Sequence, residues 1–185
     1  MIKNKQKSKG FTMIETLVSL LIFGIISVIL VNVFVSILNS QKRILQNQEI
    51  MNQASYTLER LTKIIRMAKN DEAGLCVETT LKNYNWTANS ITFLDYNGLC
   101  TQFLLEANTI KEKKSSDGNV ANLGASQAVT ASSVKVDSFG IVVAGDGEDT
   151  AQPKVTMTIK MSYNTLFSSP SLVVQTTISQ RKLDI

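Results

Sequence analysis

Histidine is absent from all 185 residues of the chain. Its absence excludes a Ser-His-Asp triad, a Cys-His pair and any metal site that uses imidazole. No P-loop or dinucleotide-binding fingerprint occurs, and Gly-Asp-Gly at residues 145–147 predicts a turn rather than a phosphate cradle. The carboxylates are scattered, without the spacing of a general acid and base pair. We therefore expect a protein that is not an enzyme and uses no cofactor.

The N-terminal part of the chain has no proline, and a long stretch of it has no charge, as a membrane-spanning helix requires. Neither of the two prolines precedes Pro153, and residues 16–41 carry no charge between Glu15 and Lys42. As a helix rising about 1.5 Å per residue, those 26 residues reach roughly 39 Å, more than the ~30 Å hydrocarbon core of a bilayer. The run is too long for a signal peptide, and no small-residue cleavage site follows it. We predict one transmembrane helix.

Excess positive charge is confined to the N-terminus. The chain has 19 Lys and Arg against 15 Asp and Glu, and the leader MIKNKQKSKG holds four of those lysines. The remaining charges balance, and residues 70–185 show no basic stripe with interleaved aromatics, so we expect no strong nucleic-acid binding. By the positive-inside rule the leader stays in the cytoplasm, and everything after Lys42 lies outside.

The junction between the leader and the apolar run reads KGFTMIETL. This motif, followed by an uncharged helix, resembles the N-terminus of type IV prepilins and pseudopilins. The resemblance implies that a prepilin peptidase cuts after Gly10 and that Phe11 becomes the N-methylated first residue of the mature chain. It also implies that the carboxylate of Glu15 neutralises the α-amino group of a neighbouring subunit during filament assembly. Thr12 and Glu15 also fit the common T-x-x-E capping box, which is the alternative interpretation.

Beyond Asn39 the helical pattern continues and becomes amphipathic. We predict a single helix from about Thr12 to about Lys69, whose second half packs against a domain. The stripe of Leu58, Leu61 and Ile65 is interpreted as core rather than as a ligand site. Apolar residues recur at threes, fours and sevens: Ile44, Met51, Ala54, Leu58, Leu61, Ile65 and Ala68.

Strand signals replace helical ones after NDEAG. Alternating, β-branched segments such as SITFLDYN, KVTMTIKMSY and SLVVQTTISQ are separated by Asn-Gly, Ser-Asp-Gly and Gly-Asp-Gly turn signals. TQFLLEANTIKEKK predicts two strands that turn at residues 106–108, and the small polar residues 115–133 predict a long exposed loop. One helix followed by strands indicates an α+β fold.

The predicted organisation is type IV pilin-like: one long N-terminal helix, with an apolar transmembrane half and an amphipathic half, packed on an antiparallel sheet. The leader covers residues 1–10, and the transmembrane or filament-core helix covers 11–41. The amphipathic half covers 42–69, and the β-rich head domain covers 70–185.

Cys76 and Cys100 both lie outside the membrane in this topology, where oxidising conditions allow a disulfide to persist. A bridge would close a loop of about 25 residues, and two free buried thiols are the alternative. A second candidate site is the acidic group of Asp146, Glu148 and Asp149, which offers oxygen ligands to calcium, as loops in some pseudopilins do. The group lacks EF-hand spacing, and a solvated acidic turn is the alternative.

The order of strands resembles, more loosely, the J-type minor pseudopilin of type II secretion and related minor pilins. Major pilins commonly carry a proline in the apolar span, and its absence here favours a minor subunit. We expect a structural and assembly subunit of a type IV filament machine: type II secretion, a type IV pilus or a competence pilus. Fold and anchor are common to these machines and do not distinguish them.

The resemblance implies four partners: the prepilin peptidase, other pilins or pseudopilins, a membrane assembly platform and the lipid bilayer. It places the chain in the bacterial cytoplasmic membrane as a single-pass protein, and then in an extracytoplasmic filament or at the cell surface. The alternative is an uncleaved, membrane-anchored adhesin or sensor that never polymerises. Loss of the leader separates the two hypotheses.

Overall fold

The computed structural model describes residues 10–80, 82–146, 152–164 and 170–181. They fall into two compact units, one ending at Ile44 and one spanning Leu45–Ile185. From here on the head means this second unit, which adds the second part of the helix to the head domain predicted at residues 70–185. The elements assigned within the described residues are α1 (Met13–Arg66), β1 (Asn85–Thr87), β2 (Ser90–Leu94), β3 (Cys100–Glu106), β4 (Thr109–Lys114), β5 (Gln127–Ala128), β6 (Val134–Ala144), β7 (Lys154–Tyr163) and β8 (Ser171–Ser179).

Helix α1 is unbroken over 54 residues because its sequence contains no proline and a single glycine, Gly24. Before Ile44 its large apolar side chains are exposed. Within the head, one face of the helix is buried, and its residues are spaced by three or four positions, as neighbours on one helix face must be. These buried residues are Ile50, Ala54, Thr57, Leu61 and Ile65.

Groups from distant parts of the head close the C-terminal end of α1. The Tyr84 hydroxyl donates to the carbonyl oxygen of Ile65 at 3.0 Å, and the Arg181 N–H donates to that of Arg66 at 2.9 Å. The last carbonyls of a helix have no partner within it, so these bonds avoid the cost of burying bare acceptors. The helix therefore ends at Arg66, close to the predicted end at Lys69.

Strands β1 to β5 form a five-stranded antiparallel sheet in chain order. Between β3 and β4 the chain reverses through Ala107 and Asn108, whose φ angles are 49° and 58°, so that Glu106 pairs with Thr109. Two successive left-handed residues match the twist of a hairpin, and Asn tolerates this conformation well. The predicted glycine-free turn is confirmed.

Strands β6 to β8 form a separate three-stranded antiparallel sheet, also in chain order. A single hydrophobic core joins both sheets to the head part of α1, with Leu61 and Ile65 from the helix, Phe93 and Phe103 from the first sheet and Phe139 from the second. Each such side chain contributes about 1.5–3 kcal/mol by leaving water. The predicted α+β fold is confirmed, with two antiparallel sheets where the sequence analysis expected one.

The buried face of α1 differs from the predicted stripe at two points. Ile44 and Met51 are exposed, whereas Ile50 and Thr57 are buried. The sequence has apolar residues at both 50 and 51, and periodicity alone does not decide which of two adjacent residues turns inward. Leu61 and Ile65, in contrast, are fully buried core residues, as predicted.

Residues 115–133 match the predicted exposed loop only in part: most of residues 121–128 are exposed, but both ends of the segment contain buried residues. The segment contains a short 3-10 helix, Val120–Asn122, and strand β5. Val129 is buried, and its N–H donates to the Ile110 carbonyl oxygen at 2.8 Å. Ser115, also buried, accepts two backbone N–H groups with its hydroxyl. Side-chain acceptors of this kind let a segment without periodicity pack against a sheet.

Candidate cleavage and assembly site at the start of the helix

Helix α1 begins with a reciprocal pair of hydrogen bonds between Thr12 and Glu15. The Glu15 N–H donates to Thr12 Oγ1 at 3.4 Å, and the Thr12 N–H donates to Glu15 Oε2 at 3.5 Å. This is the geometry of a capping box, although both distances are long for N–H···O bonds. Both residues are exposed. The carboxylate of Glu15 therefore caps its own helix weakly and stays accessible to a further partner.

Gly10 and Phe11 lie just before this cap. A Cβ added at Gly10 would have no atom within 4 Å among the described residues, and Gly10 does not adopt a left-handed φ. Phe11 is 77% exposed, so its ring finds no place in the core. Nothing in the described fold requires glycine at position 10 or phenylalanine at position 11.

Three hydroxyl groups in the apolar run behind the cap are satisfied within the helix itself. The hydroxyls of Thr16, Ser19 and Ser27 each donate at 2.8 Å to a carbonyl oxygen three or four residues earlier. Such bonds remove the cost of carrying a hydroxyl into lipid. Among the described residues, α1 is the one helix long and apolar enough to cross a membrane. The length and composition of its first part are thus consistent with a membrane span.

In the head, Cys76 and Cys100 are joined by a disulfide, with Cα atoms 5.4 Å apart. Both are fully buried in a small hydrophobic cluster of their own with Val77, separate from the main core, against which Leu94 and Val120 pack. The bridge ties the segment that follows α1 to the start of β3. The disulfide can therefore hold the segment after α1 in place, because that segment makes few other apolar contacts.

Asp71 is a structural residue that the sequence analysis missed. Its buried carboxylate accepts the N–H groups of Cys76 at 2.7 Å and Val77 at 2.9 Å. Two backbone donors compensate a buried carboxylate for the loss of water. The available signal was an aspartate a few residues after the helix, where Asp commonly organises a turn.

Only one of the three residues in the calcium hypothesis can be placed, because Glu148 and Asp149 lie outside the described residues. The third candidate, Asp146, accepts the N–H of Asn83 at 2.7 Å and that of Tyr84 at 3.2 Å. Burial raises the pKa of Asp146, and those two hydrogen bonds oppose the rise. The carboxylate thus anchors the segment before β1. In the described part of the chain, no cluster of three or more acidic or cysteine side chains is arranged to hold a metal.

An ion pair links the helix to the first sheet inside the head. Arg60 Nη2 lies 2.5 Å from Oε2 of Glu112, a nearly buried carboxylate, and Lys114 Nζ lies 3.2 Å from the other oxygen. The hydrogen bond to Glu112 raises the pKa of Arg60, and partial burial opposes this rise. The arrangement fixes the helix against β4.

Comparison with known protein families gives one match. Residues 5–31 match the prokaryotic N-terminal methylation motif, the signal of type IV pilins. Neither a curated protein nor a solved structure gives a significant match to the chain. The motif indicates a type IV pilin-like protein, and the family that carries it is structural rather than enzymatic. It implies processing by a prepilin peptidase and assembly with other pilins, and it is consistent with membrane anchoring.

Proposed function

We propose that this chain is a minor pilin or pseudopilin, cleaved after Gly10 and N-methylated at Phe11. The observation that carries the proposal is the Gly10–Phe11 pair. Both residues are exposed next to a capped helix, and the described fold gives no reason for either. A peptidase that needs a small residue before the scissile bond supplies that reason. The matched motif spans both residues.

Glu15 is the residue through which we propose that subunits recognise one another. A carboxylate near lipid is costly, about 2.5–3.5 kcal/mol at a helix centre and less near the interface. Its contact with Thr12 uses one oxygen at 3.5 Å, which is too weak a bond to offset that cost. Cleavage after Gly10 creates a positive α-amino group at Phe11. Pairing of that amine with Glu15 of a neighbouring copy neutralises both charges inside the filament.

The uncharged first part of α1 supports the same proposal. Its exposed apolar side chains need cover, which lipid provides before assembly and neighbouring helices provide afterwards. Lipid is as apolar as leucine, so packing and charge pairing, rather than the hydrophobic effect, must favour the filament over the membrane. The lack of proline in this segment favours a minor subunit. The proposed machine is type II secretion, a type IV pilus or a competence pilus.

The test compares Glu15→Ala and Glu15→Gln with the wild type in cells that assemble the filament. All three proteins should insert, be cleaved and fold their heads, because none of those steps uses the charge. The measurement is the fraction of processed protein recovered in sheared filaments. We expect both variants to fall at least tenfold, since Gln keeps a hydrogen-bonding oxygen but cannot neutralise an amine.

Capping alone predicts a different result. Loss of the cap costs about 1 kcal/mol or less, a small amount beside the burial of the apolar helix. Glu15→Gln would then match the wild type, and Glu15→Ala would change recovery only slightly. Equal recovery of all three proteins would contradict the proposed pairing.

A further inference from the structure

Strand β8 is an open edge of the second sheet. Among the described residues the sheet has the order β6-β7-β8, so β8 has a described neighbour on one side only. It pairs with β7 from Ser171, opposite Ser162, to Ser179, opposite Lys154, without a shift of register. Nine residues of regular strand therefore present one free side.

The backbone groups on that free side can be identified from the hydrogen bonds at both ends of β8. The Tyr163 N–H donates to the Pro170 carbonyl oxygen, and the Gln180 N–H donates to that of Pro153. Residues alternate along an antiparallel pair, so the even-numbered residues from 170 to 180 face β7. The N–H and C=O groups of the odd-numbered residues point away from β7. Among the described residues, none of these outward groups has a backbone partner: Ser171, Val173, Gln175, Thr177 and Ser179.

The other sheet edges in the described residues are either short or interrupted. The first sheet ends in β1, of three residues, and β5, of two, and such short edges offer little to pair with. At the start of the β6 edge, Asn108 accepts the Val136 N–H at 2.8 Å and donates its side-chain amide to the Val136 carbonyl, whereas the rest of that edge, from Phe139 to Val143, has no backbone partner among the described residues. β6 also contains a bulge after Val136. Strand β8 has no charge, proline or bulge, so it lacks all of these safeguards.

The sequence of β8 is nearly symmetric about its middle residue. It reads Ser-Leu-Val-Val-Gln-Thr-Thr-Ile-Ser, with Gln175 at the centre. Read from both ends, serine meets serine, leucine meets isoleucine, and valine meets threonine twice. Antiparallel pairing of two copies about Gln175 thus sets polar residues opposite polar ones and β-branched residues opposite β-branched ones, which are favourable cross-strand pairs. With no charge in the strand, identical copies do not repel each other.

Backbone and sequence require the same register. Pairing about Gln175 places every outward-pointing residue opposite another outward-pointing residue, such as Val173 opposite Thr177 of the second copy. A slip by one residue would set an outward residue against one already bonded to β7, and the ladder would not form. Slips by two keep the hydrogen bonds but lose the symmetric side-chain matches. The register centred on Gln175 satisfies both conditions.

We propose that β8 pairs antiparallel with β8 of a second copy of this chain and so forms a continuous six-stranded sheet with a two-fold axis at Gln175. A two-fold contact uses the same patch on both copies and closes on itself, whereas a filament grows by contacts that repeat head to tail. The proposed contact is therefore separate from the pairing at Glu15. It depends neither on cleavage at Gly10 nor on assembly into a filament.

The test uses single cysteines in the full chain in isolated membranes. Both native cysteines are in the disulfide, so an added one is the only free thiol. Gln175→Cys places two thiols on the two-fold axis, with Cα atoms about 5.5 Å apart, within reach of a disulfide. Mild oxidation should give a dimer of twice the chain mass. A mixture of Val173→Cys and Thr177→Cys chains should also cross-link, because these residues face each other across the axis.

Two single variants serve as matched controls. Val173→Cys alone should not cross-link, because its two copies lie four residues apart along the paired strands, roughly 13 Å. Val142→Cys should not cross-link either, although Val142 lies on the same face of the sheet and is 63% exposed against 60% for Val173. We expect at least tenfold more dimer from Gln175→Cys than from either control.

A charge provides a second, independent measurement. In the mixture of Val173→Cys and Thr177→Cys chains, adding Gln175→Lys to both places two lysines opposite each other and should lower the dimer yield at least tenfold. Val142→Lys should leave the yield unchanged. Equal cross-linking at positions 142 and 175, no dimer from Gln175→Cys, or an adduct with a different protein would each overturn the proposal.

Discussion

Removal of the disulfide between Cys76 and Cys100 should loosen one part of the head without unfolding it. The bridge closes a loop of about 25 residues, which in the chain-entropy model corresponds to about 3.5 kcal/mol of stability. In a head of this size, losing that stability lowers the Tm by about 10 °C. Because the two cysteines pack in a cluster separate from the main core, the loss should stay local.

The assay compares the oxidised chain, the reduced chain and the double variant Cys76→Ala/Cys100→Ala by thermal unfolding and limited proteolysis. Alanine is used instead of serine, because serine would leave a buried hydroxyl without a partner. New cleavage should appear in residues 72–80, between the carboxylate anchor at Asp71 and β1, while β6 to β8 stay protected. The reduced chain and the double variant should agree within a few degrees. An unchanged Tm after reduction, or proteolysis spread over both sheets, would refute this reasoning.

Two further predictions concern the junction and the ion pair of the head. Gly10→Leu should leave the chain at precursor mass in the membrane, because the peptidase needs a small residue there. The control, Gly10→Ala, should still be cleaved. Normal processing of the leucine variant would show that the cleavage site is wrongly assigned. Arg60→Met should cost about 1–2 kcal/mol, because it leaves Glu112 buried with a weaker partner, less than for a fully buried pair since Arg60 is 39% exposed. Lys111→Met breaks a pair with Glu106, whose side chain is 51% exposed; it is the control and should cost about 0.5 kcal/mol or less in the same thermal assay.

The sequence predicted the helix well and its buried face less well. The absence of proline and the apolar periodicity gave bounds within three residues of the observed Met13 and Arg66. The burial of Thr57 could not be predicted from the sequence, because a threonine in a helix has the pattern of a polar surface residue. The division of the strands into two sheets was also not predictable. Pairing between strands depends on how the chain crosses residues 115–133, where side-chain acceptors such as Ser115 replace periodicity.

The N-terminal site remains a prediction, and the sequence could suggest it because the motif is local. Gly10, Phe11 and Glu15 lie within six residues, and the structure adds only that the fold itself does not need the first two. The roles of Asp71 and Asp146 depend on which backbone N–H groups the loops bring to them, and spacing does not reveal this. The symmetry of β8 was likewise visible in the sequence. Its meaning appeared only once the strand was found at an open edge.

The intact mass of the chain purified from membranes that contain a prepilin peptidase tests the central claim most directly. Cleavage after Gly10 and methylation of Phe11 predict a mass lower by residues 1–10 and higher by one methyl group. The same chain from membranes without the peptidase should keep its full mass. A full-length, unmethylated chain in both membranes would contradict the proposed function and favour an uncleaved, membrane-anchored adhesin or sensor.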